Sequence, residues 1–254
     1  MSEAIDLRQT LESWPYDPEN DARVVRVTGG REVLQVRTPV GLEQYELDGR
    51  PDGVRPHLRE SVLEFHLARF EEARIAGNEA EFELSPADCA ELFNEGTLYY
   101  LRYVRLFQLR DWPRTMRDTA RNLRVFDFVH EHARREEDQN FLEKWRPYIM
   151  RVNASAAAMQ QLEKAAYQKA LSILNEAIEK IEALEELSDE TFSFERERSL
   201  EALRELCGQI QKNRPLSQLE QLESQLDRAI QRQEFERAAQ LRDKIRDLKK
   251  PHVC

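Results

Sequence analysis

Residues 216–250 read LSQLEQLESQLDRAIQRQEFERAAQLRDKIRDLKK, and their apolar positions fall into two helical runs. Leu219, Leu222, Leu226, Ala229 and Ile230 line the first, and Phe235, Ala238, Leu241, Ile245 and Leu248 line the second, at spacings of mostly three and four. Only a short polar joint near Gln231–Glu234 separates them, so the segment is an antiparallel helical hairpin. Two helices of this length leave one broad apolar surface that the hairpin itself does not cover. Such a pair is expected to dock on the rest of the chain, a second copy or another protein.

Working back from the hairpin, KNRPLS (212–217) breaks the helical pattern at Pro215 and marks a module boundary. Upstream, Tyr167, Ala170, Leu174, Ala177, Ile181 and Leu184 predict one long helix from about Ser155 to Leu187, with Leu200, Leu203, Cys207 and Ile210 as its antiparallel partner. Asp111-Trp112-Pro113 opens a helix through Val125, Phe128 and Val129. Ser85-Pro86-Ala87-Asp88 opens another, to about Leu109, because Ser caps the free amides, Pro fits the first helical position and Asp completes a capping box. That helix carries Phe93, Tyr99, Tyr100, Tyr103 and Phe107, an aromatic stripe read as core. Leu63, Leu67, Phe70 and Ala73 trace an earlier helix from Glu60, ended by Gly77-Asn78. Residues 22–48 differ: β-branched alternation at Val25, Val27 and Val33, with turns at Gly29-Gly30 and Pro39–Gly41, predicts a meander of two or three strands. So small a sheet must pack on a helix, either the short one suggested by Glu3–Ser13 or those that follow. Residues 47–57 form its exit loop. The expected fold is mainly α: a small β-containing segment over 1–58, a helical domain over 59–213 and the hairpin over 216–250.

Composition narrows the function. The 48 acidic and 38 basic residues give a net charge of −10, which repels nucleic acid on average, so no direct nucleic-acid contact is expected. With 8 Gly and neither GxxxxGK[ST] nor GxGxxG, a phosphate-cradling loop is excluded. Cys89, Cys207 and Cys254 are far apart, without a CxxC pair, which argues against structural zinc and a disulfide framework. No apolar run is long enough for a membrane span, and a cytoplasmic protein without cofactor or metal is expected.

The hairpin resembles the UVR motif of the excision-repair subunits UvrB and UvrC. The residues that carry the resemblance are Glu234-Phe235-Glu236-Arg237-Ala238-Ala239, then Leu241-Arg242-Asp243, Ile245 and Leu248, with Glu234 where the family usually has Asp or Asn. The resemblance implies a protein–protein interaction module in which two hairpins pair into a four-helix arrangement. Related hairpins occur in McsA and in plastid adaptors of the Clp protease. It implies Phe235 as aromatic anchor, Ala238 and Ala239 as the flat surface for close helix approach, and Arg242 with Asp243 as a rim pair, beside Leu222, Leu226, Leu241 and Ile245. The partner is then another protein, one with its own UVR hairpin or a second copy of this chain. The middle of the chain also resembles tetratricopeptide-type repeats, through Trp112, Tyr167 and Phe235 each followed three residues later by Thr115, Ala170 or Ala238.

No constellation for catalysis stands out. Glu71-Glu72 and Glu185-Glu186 lie on faces read as solvated, His130 and His132 fall on different sides of a helix, and His66 has no nucleophile near it in sequence. The basic strip RTMRDTARNLR (114–124) reads as a surface offset by neighbouring acids, with phosphate or an acidic partner as the alternative. The expectation is a non-enzymatic adaptor or scaffold, with an accessory factor of nucleotide-excision repair as the alternative.

Overall fold

In a computed structural model, strands β1 (Ala22–Arg26), β2 (Glu32–Thr38) and β3 (Gly41–Glu46) form an antiparallel meander in that order. Val24 faces Leu34, and Leu34 faces Tyr45. Gly29 and Gly30 turn the chain between β1 and β2 with φ of 91° and 82°, a region that a side chain disfavours. One face of the sheet buries Leu34, Val36, Tyr45 and Leu47 against Leu106. The buried guanidinium of Arg37 holds Trp14 O at 2.8 Å and Gly41 O at 3.0 Å, and that of Arg23 stacks on the Trp14 ring at 3.8 Å. These contacts tie the segment after α1 (Arg8–Ser13) to the sheet; the beginning of the helix expected over Glu3–Ser13 lies outside the described residues. The structure describes residues 6–215 and 218–249, the side chains of 218–220 and 247–249 excepted.

The helical part is α2 (Val62–Ile75), α3 (Pro86–Gln108), α4 (Trp112–His132), α5 (Glu136–Phe141), α6 (Arg146–Leu162), α7 (Tyr167–Glu182) and α8 (Glu190–Asn213). The capping box at the start of α3 is present in both directions: Asp88 N donates to Ser85 Oγ at 3.2 Å and Ser85 N to Asp88 Oδ2 at 2.9 Å. Phe126, Phe128 and Val129 of α4 meet Leu92 of α3 and Leu63 of α2 in the main core. Tyr99 and Tyr103 are buried, Phe93 packs on the core, and Tyr100 is exposed.

Among the described residues, five buried acidic side chains depart from the solvated reading of carboxylates: Asp21 and Glu195, which pair with Arg105 and Arg198, and Glu95, Asp118 and Asp138. Glu95, fully buried on α3, accepts Val62 N at 2.8 Å and Leu63 N at 3.2 Å, so it satisfies the free amides of α2 from another helix; Arg121 and Arg50 neutralise it. Asp118 of α4 binds Arg102 of α3 through two hydrogen bonds, Nε–Oδ2 at 2.7 Å and Nη2–Oδ1 at 2.8 Å, with both side chains buried. The remaining nitrogen of Arg102, Nη1, donates to Glu46 O at 2.7 Å and Gly49 O at 2.9 Å, joining the sheet to the helices. Asp138, also buried, is held by Arg135.

The single long helix expected over Ser155–Leu187 is two helices, and this reading is corrected. α6 stops at Leu162 because Ala165 enters the left-handed region (φ 54°) and Ala166 N bonds back to Gln161 O at 2.9 Å, a six-residue closure that reverses the chain. Small buried side chains, Ala154, Ala156 and Ala158, line α6, and Asn153 bonds to Met116 O and Thr119 Oγ1 of α4. α7 buries Ala170, Leu174, Ala177 and Ile181. α8 runs back along it, with Arg204 bound to Glu182 and Cys207 Sγ 3.8 Å from Asn175 Oδ1.

The chain divides into two compact units, Met1–Cys207 and Gly208–Cys254, the division falling within α8. Among the described residues no helix is long and apolar enough to cross a membrane.

Candidate functional site

Helices α9 (Gln218–Gln231) and α10 (Phe235–Lys249) form the C-terminal hairpin. Its joint is a Schellman closure: Glu234 N donates to Ala229 O at 2.8 Å, Gln233 N donates to Ile230 O at 3.0 Å, and Gln233 takes φ 58°. Glu234 then starts α10, its carbonyl accepting Ala238 N at 2.9 Å and its carboxylate pairing with Arg237 at 3.1 Å. The closure leaves so little chain between the helices that they can only run antiparallel.

Counted outward from this joint, Ala229 and Ala238, Leu226 and Leu241, and Leu222 and Ile245 lie at matching depth. Ala229, Leu241 and Ile245 are buried, while Leu222, Leu226 and Ala238 are half-buried. The side chains of Leu219 and Leu248 lie outside the described residues. Phe235 is 72 % exposed, and Ala239 beside Ala238 is exposed as well. The structure therefore splits the stripe read from the sequence: Leu241 and Ile245 belong to the interior, and Phe235 to the surface.

Ile230, part of the first apolar run but not among the residues the resemblance singles out, is 52 % exposed at the other side of the same joint. It lies four residues after Leu226, as Ala229 lies three after it, so spacing alone did not separate exposed Ile230 from buried Ala229. Arg242 and Asp243 lie 3.8 Å apart as sequence neighbours on one helix, and Asp243 also meets Arg246 at 3.3 Å, so the carboxylate is shared by two solvated arginines.

With this geometry in place the comparison with known families is direct. Residues 217–250 match the family model described as UvrB/uvrC motif. The UVR hairpin is thus a recognised module at the end of the chain, and its helices coincide with α9 and α10. Neither the curated proteins nor the solved structures give a match to this chain.

The other candidates resolve into structural roles. Each arginine of the basic strip is engaged: Arg114 with Asp111 and Glu32, Arg117 with Asp48 and Asp118, Arg121 with Glu95, and Arg124 with Glu64. His66 is buried, with Arg69 Nη1 at 3.0 Å from its Nδ1; burial pulls its pKa below the ordinary histidine value. His132 packs among Phe70, Phe82 and Phe128, and burial lowers its pKa too. Cys89 and Cys207 are buried, and burial pushes the Cys89 thiol up to about 11, away from the thiolate form a nucleophile needs.

Proposed function

We propose that this protein is a non-enzymatic adaptor that docks a partner protein through its UVR hairpin, the partner being a second copy or another protein with a hairpin of the same kind. The observation that carries this reading is the exposed pair Phe235 and Ile230 at the joint of a hairpin whose Leu241 and Ile245 are already covered. Exposed large apolar groups beside a closed apolar seam are a common mark of an association surface. An aromatic anchor there contributes about 2–4 kcal/mol when a partner buries it. Half-buried Ala238, next to exposed Ala239, offers a flat approach for a second helix, and Arg242, solvated at the rim, adds less. A place in the soluble cytoplasm belongs to the same reading.

The runner-up, an accessory factor of nucleotide-excision repair, is favoured by the match to the UvrB/uvrC motif. At a net charge of −10 such a factor reaches DNA through its partners.

Sedimentation equilibrium on the full chain, alone and with a protein that carries a UVR hairpin, tests the proposal. Wild type is expected to associate. Phe235→Ala and Ala238→Glu are expected to abolish association with little change in circular dichroism, and Arg242→Ala to weaken it slightly. Association of Ala238→Glu as tight as wild type, or none by wild type in either mixture, overturns the reading.

A further inference from the structure

The residues between α7 and the middle of α8 enclose a groove of about 510 Å³. Buried Phe192 and half-buried Leu200 give it an apolar lining. Two arginines reach it, and both are already engaged by the end of α7. Arg196 donates to Ile181 O at 3.3 Å and to Glu182 O at 2.6 Å, satisfying free carbonyls of that helix, and Arg204 pairs with the Glu182 carboxylate.

Three exposed carboxylates in the same lining, Glu186, Glu197 and Glu201, have no hydrogen bond or ion pair among the described residues. Glu197 and Glu201 are four residues apart on one helix, an arrangement in which like charges repel. The two arginines are thus taken up by the end of α7, and the three carboxylates are left outward around an apolar lining. Such a surface is complementary to a helix that presents an apolar side chain flanked by Lys or Arg.

We propose that this groove is a docking site for a Lys/Arg-rich amphipathic helix of a partner protein. The site lies within residues 186–204, and its occupancy does not depend on what the UVR hairpin captures. A net charge of −10 steers a basic segment toward the chain, while the free carboxylates and the apolar lining select where it settles.

The test uses the full-length chain and a fluorescein-labelled peptide of Leu and Lys at helical spacing, read by fluorescence anisotropy. A peptide with Glu in place of each Lys serves as control. The Lys peptide is expected to bind saturably and more weakly as salt rises, and the Glu peptide not to bind. The double variant Glu197→Lys/Glu201→Lys is expected to bind about tenfold more weakly than Glu72→Lys/Glu79→Lys, which alters net charge equally on exposed positions outside the groove. Should circular dichroism show that the Lys variant is misfolded, Glu197→Gln/Glu201→Gln replaces it, against Glu72→Gln/Glu79→Gln. Phe235→Ala is expected to bind the peptide as wild type does, which separates the groove from the hairpin. Equal loss in the groove and control variants, no loss in the groove variant, no saturable binding, or loss in Phe235→Ala would each overturn the proposal.

Discussion

In residues 1–207 Arg102, a long charged side chain, is wholly buried and clasped by Asp118, whereas in residues 208–254 the one phenylalanine, Phe235, stands in solvent. The usual distribution is reversed in both places, for opposite reasons. Every guanidinium nitrogen of Arg102 donates within the fold, to the carboxylate of Asp118 or to the carbonyls of Glu46 and Gly49. Phe235 leaves most of its apolar surface uncovered. Arg102 is satisfied within its own unit, and Phe235 is left largely to solvent in the hairpin.

The largest expected effect breaks the first half of this contrast. Asp118→Asn leaves the Arg102 charge buried without its counter-ion, which is expected to cost about 3–5 kcal/mol. Trp14, Trp112 and Trp145 all lie in residues 1–207, so the urea midpoint read by tryptophan fluorescence reports that unit alone. A midpoint within error of wild type would show that the pair is not the clasp described.

Within the hairpin, Leu241→Ala removes a buried side chain and is expected to cost about 2–3 kcal/mol. The measurement is amide hydrogen exchange over residues 218–249 in the full chain, where exchange should quicken along both helices.

A smaller effect separates the units by pH. Burial depresses the His66 pKa in the folded state, and the unfolded histidine takes up its proton near pH 6.5, so below that pH the unfolded chain binds more protons. Stability of residues 1–207 should therefore fall as pH drops through 6.5, by at most about 1.4 kcal/mol per pH unit for each such histidine. His66→Gln should flatten the slope, leaving the part due to His132. Residues 218–249 contain no histidine, and their exchange rates, corrected for intrinsic pH dependence, should show no such loss.

The smallest effect is the one that sharpens the contrast most: Phe235→Ala should change stability by less than about 0.5 kcal/mol, since an exposed side chain away from special features contributes little to folding. The same urea and exchange measurements check it.

Where the signal is local, the sequence was readable. The Ser85–Asp88 capping box, the Gly29-Gly30 turn and the stop at Gly77-Asn78 each declare themselves within a few residues, and the hairpin does so through its short joint and two periodic runs. The break between α6 and α7 was not readable, because Glu163, Lys164, Ala165 and Ala166 are all compatible with helix and neither Gly nor Pro marks the left-handed turn. The burial of Glu95 and Asp118 was not readable, since the partners that hold them from other elements, Val62 N, Arg121 and Arg102, lie 16 or more residues away. In the candidate site, spacing identified the apolar set but not its two destinations. Whether Leu241 turns inward while Phe235 turns outward depends on where the partner helix begins, which the Gln233 turn sets.

The Arg102 clasp also orders events during synthesis. The carbonyls it holds at Glu46 and Gly49 lie 56 and 53 residues upstream, and its counter-ion Asp118 lies 16 residues downstream. The three strands leave the ribosome early but lack both Leu106 beneath them and the guanidinium that fixes their exit loop. They wait, as an unfinished sheet, until α4 follows, because contacts distant in the chain form only after the intervening residues exist. The hairpin has no such wait: its helices are neighbours in sequence, and its joint closes within a few residues of being made.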